Sequence, residues 1–303
     1  MADHPILAGE PFSPEKAQQI VEGFRRDGYA YIGNVLTPAE CAALRDKTDQ
    51  YLDDPDLREW VNPDLVDPHV QTGLNEVSGE SEPFILRNTI ELDQVFRDML
   101  VREPIFSLAE AVLGKDCKFV GQNVLRSRPG LTIERFHIDD VAPYFPLPHH
   151  VTQHDRRIQM PVMWFTIQMA LTDIQHIEDG PTQYVPGSHY SGRVPSGASD
   201  GDNYTTSVDL DFEGERPVSI LCKAGDVYLQ DPMCWHRGTP NTSGRIRYLF
   251  QSLYGVNWAY VQFNKKNRVP VAEDALQGAN DKLLNLLGRR RPNGTHTQSS
   301  VRG

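Results

Sequence analysis

The stretch that decides the fold runs from Lys118 to Asp140 and reads KFVGQNVLRSRPGLTIERFHIDD. Two segments rich in β-branched and aromatic residues, 119–127 and 132–138, flank the turn-forming sequence Arg128-Pro129-Gly130. Further strands are predicted downstream, between other turns rich in Gly and Pro, over residues 162–172, 183–185, 218–222, 227–230 and 247–254. Short strands at this spacing are typical of a β-sandwich or a small barrel.

The residues before Lys118 are predicted to be mainly helical. Ser13-Pro14 is a typical helix start, and Thr37 with Glu40 matches a capping box. A further helical segment is predicted over 92–113, whereas residues 53–83, rich in Pro, Asp and Gly, are predicted to form a loop that carries part of a site. Helices followed by antiparallel strands predict an α+β fold, with a double-sheet jelly-roll core flanked by N-terminal helices.

Composition and charge disfavour several classes of partner. The 303 residues are 39% hydrophobic, enough to bury a large core, and 41 acidic against 30 basic residues give a formal net charge of -11. This negative charge disfavours nucleic acid and anionic lipid. The longest apolar-leaning stretch, 161–171, is far shorter than the roughly 20 residues of a membrane span. Because residues 1–5 lack the features of a secretory signal, we expect a cytoplasmic protein, in which four widely spaced cysteines are buried thiols.

Two short motifs place metal-binding side chains in the predicted core. His137 and Asp139 are two residues apart, so on a strand they project to the same side. Another histidine, His236, follows the predicted strand 227–230. Two histidines and one carboxylate form the facial triad of non-haem Fe(II) oxygenases, which leaves three adjacent coordination positions for a co-substrate and dioxygen. Histidines in a β-core are more often structural residues, so these three residues alone leave a metal-free interpretation open.

An arginine further along the chain favours the metal interpretation. Arg247 lies eleven residues after His236, where a predicted strand begins behind the turn 241–244. Its guanidinium is a planar, two-pronged donor suited to the far carboxylate of a keto-diacid that chelates iron. Arg245 shares the strand parity of Arg247 and is the second candidate for this role.

Together these residues resemble the phytanoyl-CoA dioxygenase-like branch of the Fe(II)/2-oxoglutarate oxygenases. The resemblance covers most of the chain and is carried by Phe24-x-x-Asp27-Gly28-Tyr29, Thr37-Pro38-Ala39-Glu40, His137-Ile138-Asp139, Gly180-Pro181-x-x-x-Val185-Pro186-Gly187-Ser188-His189, His236-Arg237-Gly238-x-x-x-Asn241-x-Ser243 and Arg247. It implies that His137, Asp139 and His236 are the iron ligands. It further implies that Arg247 binds the C5 carboxylate of 2-oxoglutarate, and that the core is a cupin-like double-stranded β-helix.

The same resemblance implies Fe(II) as cofactor, 2-oxoglutarate as co-substrate and dioxygen as oxidant. We expect a single oxygenase domain over residues 1–288, with a helical part to about residue 115 and a jelly-roll core over about 118–260. Residues 289–303, which include three consecutive arginines, are predicted to form a basic, flexible tail.

Departures from the family concern the cavity. Gln168 stands where many members have a tryptophan, and Gln122 resembles a polar pocket position, so both are candidate cofactor contacts, with a structural strand glutamine as the alternative for Gln122. The insertion 141–160 is predicted to form a lid or substrate wall, with the candidate residues Tyr144, Phe145, His149 and His150. Asp139 disfavours halogenation, because halogenating relatives carry Gly or Ala in place of the metal carboxylate.

The predicted reaction is hydroxylation of a small metabolite or natural-product intermediate, with release of succinate and CO2. No basic cluster suited to the phosphates of CoA lies near the core motifs, which disfavours an acyl-CoA substrate. Two alternatives remain: a cupin-type Zn(II) hydrolase or isomerase that uses the same three residues, and a metal-free β-sandwich binding protein. A metal hydrolase has no need of Arg247, and in a binding protein His236→Ala lowers stability without abolishing turnover. The sequence predicts no particular oligomeric state.

Overall fold

The computed structural model describes residues 9–54, 70–74, 81–131, 135–139, 157, 161–199, 202, 204–257, 271, 273 and 276–289. Its α-helices are α1 (Pro14–Asp27), α2 (Pro38–Leu52), α3 (Gln94–Met99), α4 (Ile105–Leu113) and α5 (Asp281–Leu286). Its strands are β1 (Tyr29–Ile32), β2 (Val70–Leu74), β3 (Ser81–Arg87), β4 (Lys118–Ser127), β5 (Phe136–His137), β6 (Trp164–Ala170), β7 (Thr182–Tyr184), β8 (Tyr204–Thr205), β9 (Val218–Ser219), β10 (Val227–Gln230), β11 (His236–Gly238) and β12 (Arg247–Gly255).

These strands form two sheets that share one apolar cluster. The larger sheet has the order β1-β10-β6-β12-β4-β3-β2, and the smaller has the order β8-β5-β11-β7-β9. Neighbouring strands are antiparallel throughout the described sheets. In both sheets, many adjacent strands are distant from each other in sequence, which is typical of a jelly roll. The predicted α+β jelly-roll class is therefore confirmed.

Alternation along β12 separates the helix-covered core from the space between the sheets. Phe250 and Tyr254 belong to the apolar cluster that also contains the buried residues of the helices. Leu249 has the opposite parity and belongs to the cluster that spans both sheets. Because Arg247 and Gln251 share the parity of Leu249, they line a cavity between the sheets.

The predicted helix starts are confirmed in atomic detail. The Ser13 hydroxyl accepts a hydrogen bond from the Lys16 amide at 3.3 Å, which caps α1. At the start of α2, the Thr37 hydroxyl accepts from the Glu40 amide at 3.2 Å, and the Glu40 carboxylate accepts from the Thr37 amide at 2.7 Å. Each bond satisfies an amide that the helix leaves without a partner.

The prediction of an unbroken loop over residues 53–83 is wrong in its second half. Residues 70–74 form β2, and β3 begins at Ser81, so this segment supplies two strands of the larger sheet. Gly73 and Pro83 conceal the strand pattern in the sequence. Gly73 is tolerated because β2 is the edge of the sheet. Pro83 in β3 lies opposite Thr72, beside the irregularity in the pairing at Gln71/Thr72, and precedes the residues of β3 that pair with β4, which begin at Ile85.

The predicted strand over 132–138 is shorter in the structure, where β5 comprises Phe136–His137 and residues 132–134 lie outside the described residues.

The expectation of buried thiols is confirmed for Cys41, Cys117, Cys222 and Cys234. Among the helices that the structure describes, none has the length and apolar character needed to cross a membrane.

Candidate metal centre

The smaller sheet brings His137 and His236 directly opposite each other. His137 ends β5 and His236 begins β11, and the two residues form a cross-strand pair with ring centroids 4.2 Å apart. Asp139 follows β5, and its backbone amide donates to the Pro232 carbonyl oxygen at 2.9 Å. One ligand atom from each of the three side chains lies within 4.8 Å of the other two. The sequence prediction that these residues converge is therefore met.

Hydrogen bonds orient both imidazoles toward the carboxylate. Nδ1 of His137 lies 2.8 Å from the Arg135 carbonyl oxygen, and Nδ1 of His236 lies 2.8 Å from the Cys234 carbonyl oxygen. A carbonyl oxygen only accepts, so each Nδ1 carries a proton, and Nε2 is the nitrogen of each ring that faces Asp139. Burial lowers the pKa of His137 to about 4, which keeps this imidazole neutral at pH 7.

Asp139 presents its two oxygens to different partners. Oδ1 lies 3.5 Å from Nε2 of His236 and 3.8 Å from Nε2 of His137. Oδ2 accepts a hydrogen bond from the side-chain amide of Gln230 at 2.9 Å. Although burial alone raises the pKa of Asp139, the nearby imidazoles and this hydrogen bond outweigh burial and hold the pKa below its usual value. The group is therefore a carboxylate at neutral pH.

A chain of side-chain amides continues from Gln230 across the larger sheet. The Gln230 oxygen accepts from Nε2 of Gln168 at 2.7 Å and from the Tyr184 hydroxyl at 2.6 Å. Gln251 in turn donates to the Gln168 oxygen at 3.0 Å. Sequence reasoning missed Gln230, although it ends the otherwise apolar strand Val227–Gln230, where a buried polar residue is itself a signal.

A cavity of about 400 Å³ opens onto the three candidate ligands, a size typical of small-molecule sites. Its polar lining includes His137, Asp139, Gln168, Gln230, His236, Arg247 and Gln251. Its apolar lining includes Phe119, Leu125, Trp164, Leu249 and Leu253. The three candidate ligands and Arg247 thus line the same cavity between the two sheets.

Arg247 lies buried in the wall of this cavity. Its Nη1 donates to the Gly180 carbonyl oxygen and its Nη2 to the Ser127 hydroxyl, the latter at 3.1 Å. Among the described residues its Nε has no hydrogen-bond partner and no carboxylate forms an ion pair with it. A buried cation with an unused donor is suited to an anionic ligand.

The second candidate, Arg245, has a different environment. Its side chain is 61% exposed and forms an ion pair with Asp179 at 2.6 Å. Arg245 lies before the first residue of β12, outside the strand, and it does not line the cavity although it shares the strand parity of Arg247. The turn between β11 and these two arginines is held by Asn241, whose side-chain amide donates to the carbonyl oxygens of Ser127 and Arg245.

The two predicted pocket glutamines differ in outcome. Gln168 lines the cavity, where it supports Gln230. Gln122 is fully buried on the opposite face of β4, accepts from the Thr89 hydroxyl at 2.8 Å and donates to the Phe96 carbonyl oxygen at 2.9 Å. It is not among the described residues that line the cavity, whereas its neighbour Asn123 is. The prediction that Gln122 contacts the cofactor is therefore wrong, because the alternation of side chains along β4 points Gln122 away from the cavity.

The candidate lid lies outside the described residues. Residues 140–156 and 158–160 are not described, and they include the predicted substrate contacts Tyr144, Phe145, His149 and His150. The lid over 141–160 accordingly stays a prediction.

Comparison with known proteins places the chain in a family. A model of the family "Phytanoyl-CoA dioxygenase (PhyH)" matches residues 24–249. The chain belongs to the phytanoyl-CoA dioxygenase family. Members of this family are Fe(II)/2-oxoglutarate-dependent enzymes, and the residues of the candidate centre fit these cofactors, since two imidazoles and a carboxylate suit Fe(II) and Arg247 suits a carboxylate. The recognition made from the sequence, and the cofactors it implied, are confirmed.

Relatives and solved structures agree with this assignment. Ectoine dioxygenase of Streptomyces coelicolor is 23% identical over 237 residues, which cover 74% of this chain and 68% of that protein. The crystal structure of HygX from Streptomyces hygroscopicus with nickel and 2-oxoglutarate bound has a TM-score of 0.57 at 17% identity, covering 82% of this chain and 89% of HygX. The epimerase SnoN, in complex with Fe3+, alpha ketoglutarate and nogalamycin RO, has a TM-score of 0.56 at 17% identity, covering 80% and 85%. Both structures share the jelly-roll fold.

Proposed function

We propose that this PhyH-family protein hydroxylates a small metabolite or natural-product intermediate, using iron held by His137, Asp139 and His236. The observation that carries the proposal is one cavity that holds the three converging ligands and a buried arginine with an unused donor. A site that only activates water has no use for such an arginine. An oxygenase uses it to bind the co-substrate.

Different residues of the cavity have different roles in the proposed reaction. When bound, iron and 2-oxoglutarate activate dioxygen, and the balanced reaction converts 2-oxoglutarate, dioxygen and substrate into succinate, CO2 and the hydroxylated product. Nε2 of each histidine and Oδ1 of Asp139 would hold the metal, and Arg247 would bind the distal carboxylate of the co-substrate. The apolar side chains of the cavity, including Leu125 and Leu249, exclude water from the reacting groups.

Hydroxylation and a small substrate are the finer part of the proposal. Asp139 supports oxygen transfer over halogenation, because its carboxylate occupies the position that a halide needs. The epimerase SnoN shows that the shared fold also hosts other outcomes in other proteins. A small-molecule substrate is supported by the size of the cavity and by HygX, which is known with hygromycin B bound. The net charge of -11 argues against nucleic acid as substrate.

Anaerobic titration of the metal-free protein with Fe(II) and 2-oxoglutarate tests the assignment. We expect visible charge-transfer absorption only when both are present. Arg247→Ala should require at least about tenfold more 2-oxoglutarate, since hydrogen bonds to charged groups contribute about 1.5–3 kcal/mol. Arg245→Ala is the matched control, because it removes an exposed guanidinium from the same turn, and it should titrate like the wild type.

Two outcomes contradict the proposal. Absorption that is absent from iron-loaded wild-type protein excludes 2-oxoglutarate chelation and favours a water-activating metal site. Equal 2-oxoglutarate requirements in the two arginine variants exclude Arg247 as the carboxylate anchor. Circular dichroism of both variants confirms that each is folded before the titrations are compared.

A further inference from the structure

We infer that Gln230 is a positioning residue that holds Oδ2 of Asp139 and so presents a single oxygen, Oδ1, to the metal. This inference rests on the proposed metal site and assigns a role to a residue outside the ligand set. Gln230 is the last residue of β10, is 2% exposed and lines the cavity beside the three ligands.

The two oxygens of Asp139 are not equivalent. Oδ1 faces Nε2 of both imidazoles, at 3.5 and 3.8 Å, and is therefore the oxygen that would share a metal with them. Oδ2 is occupied by the Gln230 amide at 2.9 Å. The same amide nitrogen lies 3.0 Å from Nε2 of His236. When a metal takes the His236 lone pair, Oδ2 remains as the acceptor for this amide.

The orientation of the Gln230 amide is enforced by its other end. Its oxygen accepts from Gln168 at 2.7 Å and from the Tyr184 hydroxyl at 2.6 Å. A tyrosine hydroxyl carries its proton at neutral pH and can donate this bond. A flipped amide would face these two donors with its own N–H groups and face the Asp139 carboxylate with its oxygen. The Tyr184 hydroxyl can accept as well as donate, but the contacts with the Gln168 amide nitrogen and with the Asp139 carboxylate would both become unfavourable, which disfavours that arrangement.

The support of Gln230 extends across the larger sheet. Gln168 and Gln251 are cross-strand partners on β6 and β12, and the Gln251 amide donates to the Gln168 oxygen at 3.0 Å. The Gln168 amide is thereby fixed with its nitrogen toward Gln230. Three glutamines on three neighbouring strands of the sheet order thus hold one carboxylate oxygen in place.

Restricting Asp139 to one oxygen matters for the number of open coordination positions. A carboxylate binds a metal through one oxygen or through both. The proposed reaction needs two positions for 2-oxoglutarate and one for dioxygen, which is the full set that a facial triad leaves open. If Oδ2 also bound the metal, it would compete with the co-substrate for one of these positions. The hydrogen bond from Gln230 removes Oδ2 from that competition.

Gln230→Leu tests the inference, with Gln122→Leu as its matched control. Both substitutions remove a buried, hydrogen-bonded glutamine from the larger sheet, but Gln122 faces the helices and not the cavity. Cobalt(II) is added to each metal-free protein, and the dissociation constant is measured from the visible absorption of the bound ion. We expect about 10–100-fold weaker cobalt binding in Gln230→Leu, the usual effect of losing a group that orients a metal ligand, and unchanged binding in Gln122→Leu.

A second titration, of 2-oxoglutarate at saturating cobalt, should show weaker co-substrate binding in Gln230→Leu only. Tyr184→Phe, which keeps Gln230 but removes one of its two supporting donors, should weaken cobalt binding by a smaller factor and guards against a misfolded Gln230 variant. Cobalt affinity of Gln230→Leu equal to that of Gln122→Leu overturns the inference. So does unchanged 2-oxoglutarate affinity at saturating cobalt, since Oδ2 then does not compete. Failure of the wild type to bind cobalt, or cobalt binding that survives in His236→Ala, instead refutes the proposed metal site.

Discussion

Removal of Arg102 is predicted to destabilise the helical layer by about 3–5 kcal/mol, because a buried carboxylate then loses the guanidinium that donates to both of its oxygens. Arg102 is 5% exposed and Glu40 is fully buried. Nε and Nη2 of Arg102 each donate to one oxygen of Glu40 at 2.9 Å, which makes the pair bidentate. In Arg102→Met the aliphatic stem is kept, and the Glu40 carboxylate loses both of these charged hydrogen bonds.

The double variant separates the buried charge from the lost packing. Glu40→Gln keeps a side-chain oxygen for the Thr37 amide, which Glu40 accepts at 2.7 Å in the capping box. Added to Arg102→Met, it removes the buried negative charge, so we expect the double variant to be more stable than Arg102→Met by about 1–3 kcal/mol. Arg216→Met is the surface control, since Arg216 and Asp209 form an exposed pair and its loss should cost less than about 1 kcal/mol.

Urea denaturation followed by circular dichroism measures the free energy of unfolding of each variant by linear extrapolation. The reasoning is refuted if Arg102→Met costs no more than the surface control. It is also refuted if Glu40→Gln lowers stability by the same amount in the presence and absence of Arg102, because the two charges would then be independent.

Three further predictions concern the site and its surroundings. His236→Ala should abolish cobalt binding in a visible titration, whereas His189→Ala should leave it intact, since His189 contacts the Arg25 carbonyl oxygen and is not one of the clustered ligands; equal loss in both variants would contradict this. Asn241→Ala should weaken 2-oxoglutarate binding without changing cobalt affinity, because the Asn241 side chain organises the turn before Arg247. Titrations of this variant with cobalt and with 2-oxoglutarate measure the two affinities separately, and weaker binding of cobalt as well would refute the prediction. Burial raises the pKa of three thiols to about 11 or 12, so iodoacetamide at pH 8 should label them only in denaturant, and mass spectrometry of the native protein should find no labelling of Cys41, Cys117 and Cys222.

The features that the sequence predicted correctly have local causes. The capping box of Thr37 and Glu40 depends on a spacing of three residues, and the convergence of His137 and Asp139 depends on the two-residue repeat of a strand. The place of Arg247 at the start of a strand follows from the turn that precedes it, and β12 indeed begins at Arg247. In each case a short periodic pattern contains the information.

The features that the sequence missed or misassigned depend on contacts between distant segments. Glu40 finds its ion-pair partner 62 residues away, and Gln230 finds Asp139 at a separation of 91 residues. No periodicity predicts which strand lies beside which, so the amide chain could not be read from the residues alone. Gln122 was misassigned by one residue, because the neighbouring Asn123 has the parity that faces the cavity.

The candidate site is divided between the two sheets, so its geometry depends on contacts between distant segments of the chain. The smaller sheet supplies both histidines through one cross-strand pair, whereas the larger sheet supplies Arg247 and the three glutamines. The candidate metal ligands therefore face groups whose positions are set by the register of other strands. A shift of one residue in the pairing of β12 with β6 would turn Arg247 and Gln251 to the helix-covered face together. The register of the larger sheet thus places both the candidate co-substrate anchor and the support for the metal carboxylate, although none of its residues is a ligand.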